Sequence, residues 1–265
     1  MARVDLASAK AQSIDSARFD VVIPAAGKGL RLGGDVPKQY LSLNGQPLLS
    51  HTLQRVFALN PQRVILVVSK DDELWREVPE VASCEVIQGG ATRAESVLNG
   101  VVAIDKAADA EKTEWVLVHD AARPCLRKRD VDRLTLAVGD HAVGGILGAG
   151  IVETVKHARD AVILDTYDRE QLWPAQTPQL GLRELVRMAL ADALSSATVA
   201  SRPALDARSK TITDESSALE RKGFEPLLVE GSKDNIKVTN AADLALAGFY
   251  LQQQQAEAEQ EEVSR

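Results

Sequence analysis

The sequence predicts a doubly wound α/β fold on a mostly parallel sheet, with a β-hairpin arm projecting from it. Three observations carry this expectation. Short apolar, β-branched runs alternate with helical patterns, the rhythm of a parallel sheet covered by helices on both faces. One such run, Val21 to Pro24, leads straight into a glycine-rich loop. A single stretch, Ile151 to Thr166, breaks the alternation with two strand-like runs in tandem.

Taken in order, residues from Met1 to about Ser16 are polar, rich in small side chains and aperiodic, which predicts a disordered extension. Strands are expected at Val21 to Pro24, Val64 to Val68, Glu85 to Ile87, Trp115 to His119, Gly144 to Ala149 and Leu227 to Val229. Amphipathic spacing predicts helices at Leu48 to Leu59, Ala94 to Ile104, Val131 to Val138 and Leu182 to Leu194. The runs Val152 to Lys156 and Ala161 to Thr166 flank the polar connection His157 to Asp160 and read as a hairpin. A hairpin does not easily join a parallel sheet, so it should project and pack on another subunit. Ser195 to Lys210, which contains Pro203, reads as a flexible surface loop. The glutamine and glutamate tract Gln252 to Arg265 has little apolar surface to bury and should fray. One domain is expected over residues 19–251, with its arm at about 150–172, between an N-terminal extension at 1–18 and a polar tail at 252–265.

A chain of 265 residues, 45% hydrophobic and 26% charged, can bury a full core without staples. Cys84 and Cys125 lie far apart and lack metal-ligand spacing, which points to two reduced thiols. A net charge of -7 argues against nucleic acid as a partner. No apolar run approaches the roughly twenty residues of a membrane span, and the first twenty residues lack a signal-peptide core. The expectation is a cytoplasmic protein with no membrane partner.

The glycine-rich loop narrows the chemistry. In Val21-Val-Ile-Pro-Ala-Ala-Gly-Lys-Gly-Leu-Arg-Leu-Gly-Gly, a buried strand ends where backbone N–H groups can wrap a phosphate. Gly27 and Gly29 permit the close approach. No GKS or GKT closes the loop, the spacing Gly27, Gly29, Gly33 is not GxGxxG, and no acidic residue follows about twenty positions on. What remains is a phosphate loop followed by two cations, Arg31 and Lys38, the latter stiffened by Pro37. Such cations offset charge at a phosphorus centre, which is most of what phosphoryl or nucleotidyl transfer requires.

Seven segments then carry a resemblance. They are Pro24-Ala-Ala-Gly-Lys-Gly-Leu-Arg, Pro37-Lys-Gln-Tyr, Gly89-Gly-Ala-Thr-Arg-Ala-Glu-Ser-Val, Val118-His-Asp-Ala-Ala-Arg-Pro, Gln176-Thr-Pro-Gln, Thr213-Asp-Glu and Asp234-Asn-Ile-Lys-Val-Thr. From about Phe19 to Leu251 the chain resembles the 2-C-methyl-D-erythritol 4-phosphate cytidylyltransferase family. The resemblance implies a Rossmann-like nucleotide-diphospho-sugar transferase fold. It also implies transfer of CMP from CTP to methylerythritol phosphate, releasing pyrophosphate, in the non-mevalonate isoprenoid pathway.

The same resemblance implies roles. Arg31 and Lys38 match transition-state stabilisers, in agreement with the loop argument. Pro24, Ala25, Ala26, Gly27, Gly29, Lys38, Gly90, Ala91, Ser96, Asp120 and Ala121 fall on nucleotide-binding positions. Many relatives carry an acidic residue at Ala91, so any base contact from that side chain is absent here. Asp120 and Arg123 match positions near ribose, metal and substrate, with Asp120 orienting hydrated Mg²⁺, a cation that keeps its waters, and no residue ligating it directly. Thr154 and Arg169 on the arm match positions that bind the substrate phosphate of a neighbouring subunit, so a homodimer with shared sites is implied. Thr213 matches a substrate contact, and Lys237 holds the substrate phosphate for attack. The alternatives are a sister cytidylyltransferase acting on ribitol 5-phosphate and a non-catalytic nucleotide-sensing scaffold of the same fold.

Overall fold

The computed structural model describes residues 19–27, 36–107, 113–139, 141–197 and 212–263. In chain order these form β1 (Phe19–Pro24), β2 (Ser42–Leu43), β3 (Gln46–Pro47), α1 (Leu48–Phe57), β4 (Val64–Val68), β5 (Glu85–Gln88), α2 (Arg93–Lys106), β6 (Trp115–Val118) and α3 (Lys128–Val138). There follow β7 (Gly144–Gly148), β8 (Val155–Arg159), β9 (Val162–Tyr167), β10 (Ala175–Leu182), α4 (Arg183–Ala197), α5 (Glu215–Arg221), β11 (Leu227–Glu230) and α6 (Ala241–Val263). The extension up to Ser16, the loop residues Gly29, Arg31 and Gly33, and most of the run from Ser195 to Lys210 lie outside the described residues. Its first three residues belong to α4.

Seven strands form one sheet in the order β11-β7-β10-β6-β1-β4-β5. Every pairing is parallel except those of β10, which runs antiparallel to both β6 and β7. Period-two alternation splits the core in two. Val21, Ile23, Leu66 and Leu117 face Leu49, Leu53, Val131 and Leu134 of α1 and α3. Val22, Ile65, Val67 and Val116 face Val97, Val101, Val186 and Leu190 of α2 and α4. Gly100 permits close seating of α2, since a Cβ there would lie 2.6 Å from Val22. The doubly wound, mostly parallel fold is therefore present.

Strand β10 was not among the expected strands. Pro178 lacks a ladder donor, and the β7 pairing shifts register between Ala175 and Gln179, a bulge that accommodates it. The polar Gln176, Thr177 and Gln179 are nonetheless buried, because their side chains bond to the segments that build the site.

The arm differs in register from its reading. Its turn falls on Asp160 and Ala161, with φ of 50° and 63°, and His157 belongs to β8, where its ring stacks on Tyr167 at 5.5 Å. Two successive residues at positive φ give the tight turn whose twist matches paired strands, so the connection is two residues long. The hairpin forms a separate two-stranded sheet and leaves Val162, Ile163 and Leu164 exposed. At the other end, the tract expected to fray is helical through Val263. Within it Gln254 is only 6% exposed, because it bonds to other segments.

Candidate active site

Parallel strands β1, β4, β5 and β6 end on one edge, where their loops meet. Ala25 N–H donates to the Val67 carbonyl (2.8 Å), Gly89 N–H to Val68 (2.8 Å) and His119 N–H to Val22 (3.0 Å), so each loop leaves the sheet beside its neighbour. Between them opens a cavity of about 470 Å³. Its floor is Pro24, Ala25, Ala26 and Gly27; Gly90, Ala91 and Ser96 form one wall, and Asp120, Ala121, Lys38 and Lys237 the other. This is the ligand position of an open α/β sheet.

Asp120 is the electrostatic hub. Its Oδ1 accepts from Arg93 Nε at 3.0 Å, while its Oδ2 lies 2.7 Å from Lys237 Nζ and 3.8 Å from Arg123 Nε. Burial opposes ionisation of this carboxyl, but the pull of Arg93, Lys237 and Arg123 outweighs it and holds Asp120 well below the usual carboxylate range. Arg93 also forks onto the buried Glu215, at 2.6 and 3.2 Å. Burial disfavours its charge, yet Glu215 and Asp120 keep the guanidinium ionised.

Behind Asp120 the donors and acceptors can be followed one by one. Asp120 N–H donates to Thr177 Oγ1 (3.1 Å), whose hydroxyl donates to His119 Nδ1 (3.0 Å). His119 Nε2 then donates to the Arg123 carbonyl (3.0 Å), which fixes the tautomer. Burial pushes the imidazole down to about 4, so it stays neutral. Both ring nitrogens bond within the protein, and His119 acts as a brace under the loop.

The loops hold themselves open by internal bonds. Thr92 caps α2, and Glu95 returns to the Ala91 and Thr92 N–H groups at 2.6 and 3.1 Å. Gly90 N–H donates to Ser96 Oγ (3.2 Å), which itself donates to the Thr92 carbonyl (2.9 Å). The amides of Gly90 and Ala91, residues at nucleotide-binding positions by the resemblance, are thus engaged within the wall. A Cβ at Gly89 would lie 2.7 Å from both Ala26 and Ser96, so glycine sets the spacing between floor and wall. Gln39 Nε2 donates to the Ala25 carbonyl (2.8 Å), and neighbouring Lys38 Nζ reaches the Val238 carbonyl (3.1 Å). The two lysines therefore meet over one short segment.

Not every expected site residue joins them. Arg123 is buried behind Asp120 and donates to the carbonyls of Asn235 (2.6 Å) and Ala175 (3.3 Å). Thr154 and Arg169 lie exposed on the arm, where Arg169 Nη1 donates to the Val152 carbonyl (2.5 Å). Thr213 is exposed beside Asp214, the residue that caps α5. None of these four lines the cavity. Sequence reading did not single out Arg93, Glu215, Gln39, Thr177 or Thr239. All five stood inside the quoted segments, and polar residues that recur beside glycine loops were the available signal.

The donor set also bears on Mg²⁺. Among the described residues no three His, Cys, Asp or Glu side chains converge on a metal-sized site. Both oxygens of Asp120 already face cations. That chemistry fits a hydrated ion carried on a triphosphate and oriented through water, and does not fit a protein-caged one.

A glycine-bounded cavity at the strand ends, faced by two lysines and a carboxylate, is the arrangement of a nucleotidyl-transferring α/β enzyme. The family profile described as IspD, 2-C-methyl-D-erythritol 4-phosphate cytidylyltransferase, matches residues 19–253. The chain is 46% identical over 232 residues to the protein of that name from Haemophilus influenzae (strain PittGG), covering 87% of this chain and 95% of the relative. With the Vibrio vulnificus (strain YJ016) protein of the same name the identity is 42%, covering 87% and 93% of the two chains. A crystal structure of 4-diphosphocytidyl-2C-methyl-D-erythritol synthase superposes with a TM-score of 0.73 at 35% identity, covering 89% and 98%. The chain belongs to the IspD family.

Proposed function

We propose that this chain transfers CMP from CTP to 2-C-methyl-D-erythritol 4-phosphate, with the nucleotide in the cavity at the carboxyl ends of β1, β4, β5 and β6. The observation that carries the reading is the convergence of Lys38 and Lys237 on this cavity, within the segments that carry the family match. The phosphate oxygen of methylerythritol phosphate attacks the α-phosphorus of CTP in line. A new P–O bond forms, the bond to the pyrophosphate breaks, and CDP-methylerythritol and pyrophosphate leave.

The nucleophile is already an anion at neutral pH, so the step needs no strong base and no covalent enzyme intermediate. Positioning and charge stabilisation do the rest. Lys38, with Arg31, stabilises the α-phosphoryl charge; Lys237, with Arg169, aims the nucleophile. Pro24, Ala25, Ala26, Gly27 and Gly29 cradle the phosphates, while Gly90, Ala91, Ser96, Asp120 and Ala121 shape the walls against which base and ribose pack. Thr154 and Thr213 contact the substrate. Arg123 acts from behind by fixing Asp120. When bound, Mg²⁺ neutralises triphosphate charge, and Asp120 orients its water shell.

Arm residues reach the substrate from a second subunit in this reading. Its support is the exposed apolar side chains of Val162, Ile163 and Leu164 on a hairpin none of whose residues lines the cavity of its own chain. The enzyme is proposed to work as a homodimer in the cytoplasm; no helix among the described residues is long and apolar enough to cross a membrane. The test is pyrophosphate release with Mg²⁺, pairing CTP, ATP, GTP and UTP in turn with methylerythritol phosphate and with ribitol 5-phosphate. Release with CTP and methylerythritol phosphate alone is expected. Release with ribitol phosphate would move the assignment to the sister activity, and silence throughout would favour a non-catalytic protein.

A further inference from the structure

The segment bearing Lys237 is neither helix nor strand, so its position depends on tethers. Asn235 Nδ2 donates to the Thr177 carbonyl (2.8 Å), and Val238 N–H donates to Ala122 (2.9 Å). The third tether comes from the polar tract at the distal half of α6. Asp234 Oδ2 accepts from Arg127 Nε at 2.7 Å and from Gln254 Nε2 at 2.9 Å, and Gln254 Nε2 also reaches the Cys125 carbonyl at 3.0 Å. Arg127 Nη1 then donates to Glu257 Oε2 at 2.6 Å.

Gln254 is buried in a run whose described neighbours, Gln252, Gln253 and Gln255 to Glu261, are exposed. It falls three residues after Leu251, on the α6 face that packs Ala247 and Leu251 against Cys125 and Val238. Glutamine is buried at that position only because two acceptors await it. The family match ends at residue 253, so Gln254 and Glu257 lie beyond it.

We propose that Gln254 and Glu257, through Arg127 and Asp234, are positioning residues that hold the Lys237 segment against the cavity. The glutamine-rich tract thus belongs to the active site: Gln254 bonds Asp234, three residues of chain from the lysine that aims the nucleophile. Displacing such a group by about 1 Å is enough to slow a positioned reaction on the order of a hundredfold. The inference rests on the proposed role of Lys237.

The test uses Gln254→Met, which keeps side-chain length and removes both donors, and Arg127→Lys, which keeps charge but cannot bridge two carboxylates. In the full chain, KM for methylerythritol phosphate should rise about 5- to 10-fold in each while KM for CTP stays within about twofold. Amide hydrogen exchange across residues 232–239 should speed about tenfold, with β1, β4 and β6 unchanged. Unaltered exchange in 232–239, or a loss spread evenly over the sheet with KM unmoved, would overturn the clamp. Lys237→Ala separates the two readings. If it leaves KM for methylerythritol phosphate unchanged while the clamp variants still speed exchange, the role of the lysine fails and the tract is a structural brace alone.

Discussion

Lys237 Nζ lies 2.7 Å from Asp120 Oδ2, while the other oxygen of the same carboxylate holds Arg93 at 3.0 Å. One carboxylate therefore fixes a cation from the segment between β11 and α6 and another from the N-terminus of α2. It also stops three neighbouring cations from repelling one another. Asp120→Asn keeps the shape and removes that charge. A fall in kcat/KM on the order of 10² is expected by steady-state assay, with the far-ultraviolet circular dichroism of the native protein.

Lys38 reaches into the cavity from a short 3₁₀ turn and touches Val238 through its carbonyl. Lys38→Ala should lower kcat by about 10² to 10³, the scale of losing one preorganised charge at the reacting centre. Its melting temperature should stay within about 2 °C of the parent, because the side chain is not part of the core. Near-normal kcat would sink the assignment.

Thr177 relays one hydrogen bond to another, from the Asp120 amide to the His119 ring. Thr177→Val matches its shape but strands a buried donor and a buried acceptor. A destabilisation of about 1–3 kcal/mol is expected from urea unfolding, together with reduced turnover as the Asp120 loop loosens.

His119 makes stability depend on pH. Its folded value is pushed down from 6.5 to about 4 by burial, so between those values the unfolded chain binds a proton that the folded chain refuses. Stability is full above about pH 6.5 and falls as pH drops toward 4. Below that, protonation of Asp120, whose folded value is depressed, removes further stability in the same direction. Unfolding free energies from urea titration at pH 7.5 and 4.5 should differ by on the order of 2–3 kcal/mol, and His119→Asn should flatten the difference.

Shared sites would show in mixed dimers. Lys38→Ala disables a core and Arg169→Ala disables an arm, so a mixed dimer keeps one site with both parts intact. Equal mixing of the two inactive proteins, with subunit exchange, should restore about a quarter of parental activity. No recovery from mixtures shown to contain mixed dimers would rule out sharing through the arm.

The sheet was legible where one physical signal dominated. Val64 to Val68 is a continuous apolar run with no competing pattern, and its strand begins and ends where expected. Strand β10 was not legible, because Pro178 and three buried polar side chains erase the apolar signal. Their burial depends on partners distant in sequence, Asp214 and Ser216 for Gln179 among them. The hairpin was legible, but its turn was not. A turn at Asp160 and Ala161 is set by backbone twist, whereas polarity alone favoured His157 to Asp160.

Local periodicity and the glycine loop determined the fold class, the ligand edge of the sheet and the places of Lys38 and Asp120 along it, because these follow from short-range pattern and from where parallel strands end, whereas Lys237 was legible only through the family resemblance. Tertiary structure alone decided that Arg93, Glu215 and Thr177 brace that edge, that Arg123 stands behind it, and that Gln254 is buried. A polar side chain enters a protein interior only when its partners are already there, and those partners are supplied by chain segments that no local pattern connects.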